Sequence, residues 1–385
     1  MPSHDLASIF SQFTPNDPTE SFLSAEPFGS GHINDTYRIL TSNNTHYILQ
    51  RINHEIFTRP VEVMENIHRV TTHLRRKILD RGGDPRRETL TLLPTRDNQW
   101  FVQDENGNYW RMYDCISNVR TYEIGDDSTS VAAASTNKEG GEESQPPNHV
   151  KEAAASFARF QRDVSDIPPP RLHETISRFG DTTFRFEQFE SAYKEDILNR
   201  AKDCRPEIEF ALSRRKDASI LMNLLKEKKI PERVSHYDTK INNVLFDIHT
   251  GKGICVIDLD TVMPGLAIYD FGDAVRAAAA LAAEDERDLS KVGFSMDKFA
   301  LLTEGYLSVA KEFLTDVEVD HLAFSARLVS FTIGLRFLAD HLSGDTYFKI
   351  QREGQNLDRC RTQFKTVKDM EEQFDEMKAV VNRWR

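Results

Sequence analysis

The segment His236-Tyr237-Asp238-Thr239-Lys240-Ile241-Asn242-Asn243-Val244-Leu245-Phe246-Asp247, followed after a turn by Val256-Ile257-Asp258-Leu259-Asp260, is the richest run of oxygen donors in the chain. An Asp on a loop, an amide five residues on and a second Asp beyond a hairpin supply three hard ligands from adjacent backbone points. Phosphoryl transfer needs such a set: a carboxylate within hydrogen-bond reach of the attacking hydroxyl, and oxygen ligands for magnesium on the phosphates. On this reading Asp238 is the base, Asn243 and Asp258 bind Mg2+, and His236 braces the loop. The competing reading makes them ordinary turn residues flanking two strands. It must then produce four residues at fitting offsets by chance. Asp260 stays open between a second magnesium-side carboxylate and a loop residue, and Asp247 reads as the cap of the hairpin turn.

The order His-x-Asp-x-x-x-x-Asn, hydrophobic strand, Ile-Asp is the layout of protein-kinase-like catalysis. ATP is therefore the expected co-substrate, and groups able to cover its phosphates belong upstream. Gly29, Ser30 and Gly31 form a turn between two strands, where backbone amides can cover phosphates as a kinase flap does. Alone, that turn reads as a plain hairpin. Protein kinases grip the phosphates with a Lys on the third strand, but here the strand reads Tyr47-Ile48-Leu49-Gln50-Arg51-Ile52-Asn53. Either Arg51 supplies the cation, with Glu65 on the next helix as its partner, or Gln50 fills the slot and another group compensates. Period-two alternation puts Gln50 and Arg51 on opposite faces. Met112, Asp114 and Cys115, where the first lobe ends, complete the expected nucleotide-binding residues.

These side chains need a scaffold, and the pattern predicts one of α+β class. From Leu23 to Asn53 apolar and polar residues alternate around the Gly-rich turn and a polar turn at Thr41–Thr45, predicting an N-terminal antiparallel sheet. Pro60 opens a helix with Val61, Met64, Ile67, Val70 and Leu74 at helical spacing. Strands at 100–103 and 109–113 flank the turn Asn106-Gly107-Asn108. Residues 124–148 carry little to bury and read as a surface insertion. Helical patterns follow at 150–162, 187–203, 207–228, 296–314 and 366–385, interrupted by β-like runs at 244–246 and 254–257. The expected division is an N-lobe over 1–117, an interlobe segment over 118–149 and a mainly helical C-lobe over 150–385.

With 385 residues the chain suits two lobes, and a formal net charge of −12 argues against a nucleic-acid partner. The four cysteines form no C-x-x-C pair and read as reduced thiols. The N-terminus does not read as a secretory signal, and Ala274–Ala283, taken as the most apolar stretch, is too short to span a membrane. A cytoplasmic location is expected. Protein partners are not identifiable from sequence.

The stretches Gly29-Ser30-Gly31-His32-Ile33-Asn34-Asp35-Thr36-Tyr37, Tyr47-Ile48-Leu49-Gln50-Arg51, Asp238–Asp247, Val256–Gly265, Gly334–Leu342 and Gly344–Lys349 resemble the aminoglycoside phosphotransferase and choline kinase superfamily. Within it they are most similar to the N-acetylhexosamine 1-kinases. The resemblance covers nearly the whole chain except the insertion. It implies a bilobal protein-kinase-like fold and transfer from ATP to the 1-hydroxyl of N-acetylglucosamine or N-acetylgalactosamine. It also implies that His32, Arg336 and Tyr347 contact the sugar while Asp238 faces the anomeric hydroxyl. Asp270 resembles the superfamily's structural anchor of the catalytic loop. Other kinases of the fold, acting on choline, homoserine or another sugar, share the catalytic loop; choline calls for an aromatic cage. A catalytically silent nucleotide-binding scaffold, docking through the insertion, is the rival from another class.

Overall fold

The computed structural model describes residues 4–29, 33–122 and 148–385. The chain divides into two units. The first comprises Met1–Thr121, Asp166–Ser177 and Val244–Met263, and the second Tyr122–Ser165, Arg178–Asn243 and Pro264–Arg385. The expected boundary near residue 117 put the hairpin after Asn243 with the helical lobe. It groups instead with the first unit, where its first strand pairs with Val119–Arg120 and Arg87 with Asp247 at 2.8 Å. Ser30, Gly31, His32 and most of the 124–148 insertion lie outside the described residues.

The first unit starts with helix α1 (Leu6–Phe10), capped by Asp5, and strands β1 (Phe22–Pro27), β2 (Asp35–Thr41) and β3 (His46–Ile52). Helices α2 (Pro60–Asp80) and α3 (Pro85–Glu88) and strands β4 (Val102–Gln103), β5 (Tyr109–Asp114) and β6 (Val119–Arg120) follow. The hairpin β7 (Val244–Asp247) and β8 (Gly253–Val256) completes the unit. The main sheet is antiparallel in the order β1-β2-β3-β5-β4. Alternation sorts its faces. Ile39, Tyr47, Leu49, Trp110 and Met112 bury against Ile9, Phe10 and Phe13, while Gln50 and Arg111, paired in register, share the other face. Helix α2 has Pro60 at its start and buries Met64, Ile67, Val70 and Leu74; Val61 stays 43% exposed.

The second unit holds α4 (His149–Val164), α5 (Thr182–Glu195), α6 (Arg205–Ser213), α7 (Ile220–Lys226), α8 (Ala267–Ala278) and α9 (Met296–Ala310). After these come α10 (Asp316–Asp320), α11 (Leu322–Leu342), α12 (Gln355–Glu372) and α13 (Phe374–Trp384). Several helices depart from the sequence pattern. Helix α5 starts five residues before the expected Glu187, where Asp181 accepts the Phe184 N–H, and ends at Asp196 in the left-handed region. The expected helix over 207–228 is two helices, and the expected C-terminal helix is broken at Gln373. Helix α11, not Ala274–Ala283, is the longest apolar segment: its length and composition would cross a membrane, but 72% of its most apolar window is buried among its neighbours. The fold is thus α+β, with an antiparallel sheet in one unit and helices in the other.

Candidate active site

The catalytic loop belongs to the second unit and is pinned to α8 through its backbone. Asp270 accepts the His236 N–H at 2.8 Å, the Tyr237 N–H at 2.9 Å and the Gln161 side-chain amide at 2.8 Å. Burial pushes its carboxyl up to about 7, against the pull of those donors. One turn later Asp273 accepts the Thr239 N–H at 2.9 Å and the Arg276 Nε–H at 2.8 Å. His236 is fully buried between the edges of Phe157 and Phe160, and its Nδ1 accepts the Asp238 N–H at 3.3 Å. Tyr237 takes a positive φ of 64°. Its ring is slotted so tightly that a Cβ on Gly180 or Gly265 would stand 2.6 or 2.0 Å from its atoms.

The Asp238 carboxylate accepts the Asn243 Nδ2–H at 3.0 Å and lies 2.9 Å from Lys240 Nζ. Asn243 Nδ2 also donates to the Asp238 carbonyl at 2.8 Å. Burial raises the Asp238 pKa, but the Lys240 charge and hydrogen bond outweigh it, and the carboxyl is held below its ordinary value. Burial lowers and Asp238 raises the Lys240 ammonium, with a net rise. Asp238 is therefore an ionised acceptor with a quarter of its side chain exposed. Sequence reasoning gave Lys240 no role; its offset of two from the base was the available signal.

In the first unit, β8 ends at Val256, which is paired with Val244, the residue after Asn243. Two residues later Asp258 adopts φ 60° and ψ 58°, a left-handed conformation that Asp tolerates better than most residues. This turns the chain so that Asp260 meets Arg111. Arg111 Nη2 donates to Asp260 Oδ2 at 2.9 Å, Nη1 to Oδ1, and both side chains are 2% exposed. Asn34 adds a third donor to Asp260. Asp260 is a neutralised, buried strut, which resolves the choice left open by sequence against a magnesium ligand. Burial raises the Tyr113 hydroxyl, Arg111 opposes that rise, and Asp260 and Asp258 add to it.

Arg51 is occupied on the far face of the sheet, 2.5 Å from Asp35 and 3.3 Å from Asn108. Gln50 Oε1 accepts the Arg111 Nε–H at 3.0 Å, and its Nε2 donates to Thr36 at 2.9 Å. The cation on the Gln50 face is therefore Arg111, from the strand directly opposite. Glu65, expected beside Arg51, contacts His173 Nε2 at 2.5 Å, because α2 presents it at the surface. Met112 faces the apolar core with no exposure. The Asp114 N–H donates to Thr91 O at 3.0 Å and the Cys115 N–H to His46 O at 3.3 Å, so neither amide is free to bind an adenine. Burial pushes up the Asp114 carboxyl, which accepts from Asn16 at 2.7 Å. Gly29, two residues beyond β1, takes φ 81°.

Arg336 on α11 and Tyr347 in the following loop come together, Nη2 to Oη at 3.3 Å. Asp340 organises that loop. Its carboxylate accepts the consecutive N–H groups of Thr346, Tyr347 and Phe348 at 2.9, 2.8 and 2.9 Å, and Asn356 Nδ2 at 2.9 Å. Gly344 and Asp345, both at positive φ, make the turn. Tyr347 is left 62% exposed.

Among the described residues no three His, Cys, Asp or Glu side chains converge as a metal site. The expected ligands are instead one amide oxygen and one carboxylate, hard donors that suit Mg2+ when phosphates and water supply the rest. The Asn243 Nδ2 bonds to Asp238 fix which end of that amide is the donor oxygen.

A family model described as the phosphotransferase enzyme family matches residues 24–302, and the chain belongs to that family. It is a small-molecule phosphotransferase of kinase-like fold. Similar solved structures include an amicoumacin kinase in complex with AMP-PNP, Ca2+ and Ami, at 10% identity and TM-score 0.58, covering 97% of this chain and 94% of that one. Choline kinase from Cryptosporidium parvum Iowa II is 13% identical at TM-score 0.56, with 98% of each chain covered. Plasmodium vivax ethanolamine kinase is 14% identical at TM-score 0.52, covering 90% of this chain and 84% of that one. At these identities the likeness is one of fold.

Proposed function

We propose that the protein transfers the γ-phosphoryl group of ATP to the 1-hydroxyl of an N-acetylhexosamine, N-acetylglucosamine or N-acetylgalactosamine, in the cytoplasm. The observation that carries this reading is the ionised Asp238 carboxylate, fixed by Asn243 and Lys240 on a loop anchored to Asp270 and Asp273. Asp238 orients the acceptor hydroxyl and takes its proton as the O–P bond forms and ADP leaves. Lys240 holds the base ionised until then. Asn243 and Asp258 would hold Mg2+, which when bound supplies charge neutralisation on the phosphates. General-base help is worth roughly 10² to 10⁴ in rate, with positioning and electrostatics carrying the rest.

The Arg336–Tyr347 pair supports a sugar acceptor, since a guanidinium offers fixed donors to hydroxyl and amide oxygens and Tyr a flat face with a polar tip. A quaternary ammonium acceptor is disfavoured. The rings of Phe179, Tyr347 and Phe348 already surround the Arg336 guanidinium at 5.3, 5.5 and 5.2 Å, and that charge repels a second cation. ADP release measured with N-acetylhexosamines, other sugars, choline and homoserine tests the reading. Turnover confined to choline or homoserine would overturn the sugar assignment, and ATP binding without turnover of any acceptor would favour the scaffold.

A further inference from the structure

The half-buried and buried arginines of the second unit are almost all matched to carboxylates: Arg233 to Glu318, Arg276 to Asp273, Arg327 to Asp217 and Arg200 to Asp345. That is expected of a chain with 61 acidic and 49 basic residues. Arg185 on α5 and Arg336 on α11, like Arg359 on α12, have neutral oxygens as partners, and of the three only Arg185 and Arg336 converge on one ring. Arg185 donates to Phe179 O at 3.4 and 3.2 Å and to Gln188 Oε1 at 2.8 Å, and Arg336 donates to the Tyr347 hydroxyl. Asp181, the carboxylate at the head of α5, is engaged by Arg178 at 2.7 Å.

The two guanidinium groups share one ring. Their Cζ atoms lie 5.7 and 5.3 Å from the centroid of Phe179. Phe179 in turn packs edge-on against Tyr237 at 5.4 Å, and Tyr237 against Tyr269 at 5.5 Å. Tyr237 is the residue before Asp238, so the ring chain runs to the loop that carries the proposed base. Its charge is felt: burial, then the repulsion of Arg336, pulls Arg185 down to about 10. Two like charges are thus held on one aromatic ring beside Tyr237. Only an anion relieves this, and forked guanidinium donors match carboxylate and phosphate geometry.

We propose that Arg185 and Arg336, with Phe179, Tyr237, Tyr269 and Tyr347, form a subsite for an anionic group, a phosphate monoester or carboxylate, carried by the acceptor away from its reacting hydroxyl. This rests on the acceptor lying beside Asp238, as in the function proposed above, and adds a charge to that acceptor. A neutral N-acetylhexosamine would hydrogen-bond Arg336 and stack on the rings but leave the pair's charge unmatched.

Calorimetric titration of the wild type with N-acetylglucosamine, its 6-phosphate, its 6-carboxylate and inorganic phosphate tests the subsite, repeated in Arg185→Met and Arg185→Lys. One of the anionic sugars should bind at least about tenfold more tightly than the neutral sugar, the scale of a charge-assisted pair. That ratio should approach one in Arg185→Met and partly recover in Arg185→Lys. Taking a ratio within each variant removes any general folding defect. A wild-type ratio near one, a ratio unchanged by Arg185→Met, or inorganic phosphate binding as tightly as the sugar phosphate would each overturn the proposal. So would failure of both anionic sugars to bind. ADP release on the same samples reads the kinase assignment separately: turnover of neutral sugar with a ratio near one sinks the subsite alone, and no turnover with any acceptor sinks the kinase reading.

Discussion

Arg111 on β5 and Asp260, 149 positions apart, face each other as a forked ion pair with both side chains 2% exposed. The pair fixes the turn that carries Asp258. Removing one member leaves a charge stranded in a low-dielectric interior, which costs about 3–5 kcal/mol. Asp260→Ala should lose that much stability in urea denaturation, and Arg111→Met combined with Asp260→Leu should recover a large share of it. Equal losses in the single and double variants would mean that the pair is not the source.

Asp238 is held below its ordinary pKa of 3.8, so it stays ionised across the neutral range. Asp238→Asn should keep its circular dichroism spectrum and lose roughly 10² to 10⁴ in turnover. The sign of the pH effect follows from Lys240. With Lys240 present, the acid limb of kcat due to Asp238 lies below pH 3.8. In Lys240→Met burial is opposed only by the weaker pull of His236 and Arg276, so the limb should move up in pH. A pH–rate profile identical in wild type and Lys240→Met would remove Lys240 as the group that sets the ionisation of the base.

Asp258→Asn and Asn243→Ala probe the magnesium assignment. Losing an outer partner of a metal ligand costs roughly 10–100-fold in affinity, so losing a ligand should cost at least that much. Titrating Mg2+ at fixed ATP should show half-saturation raised to this extent in both variants. An unchanged curve for Asp258→Asn would take Asp258 out of the metal site.

Asp340 touches no proposed reacting group, yet it holds three successive amides of the loop that carries Tyr347. Asp340→Ala should raise the KM of the acceptor while leaving that of ATP unchanged. The stability loss should be about 1.5–3 kcal/mol, the contribution of one hydrogen bond to a charged group, because the released amides can turn to water. A rise in both KM values would point to a general loosening of the unit.

The loop at 236–243 and the hairpin after it were legible in the sequence because their determinants are local: Asn243 bonds back to Asp238 five residues earlier, and Val244 pairs with Val256 across one short turn. The α+β class was legible for the same reason, through period-two runs in β1 to β3 and the Pro60-led helix. The compensating cation was not. Alternation put Gln50 and Arg51 on opposite faces, but which cation shares the Gln50 face depends on pairings far away in the chain: it is Arg111, already matched to Asp260. The same one-residue parity puts the Met112 side chain in the core. Helix α11 escaped notice because it is apolar on every side and shows no period to detect. The break at Gln373 has no proline or glycine to mark it.

The Asp340 carboxylate grips main chain only, in the loop where Tyr347 stands. Residues 346 to 348 can therefore exchange their side chains without disturbing the clamp that shapes them. The segment behaves as an interchangeable cassette on a fixed mount. If Tyr347 meets the acceptor as proposed, acceptor preference can be altered there with the loop's backbone held in place.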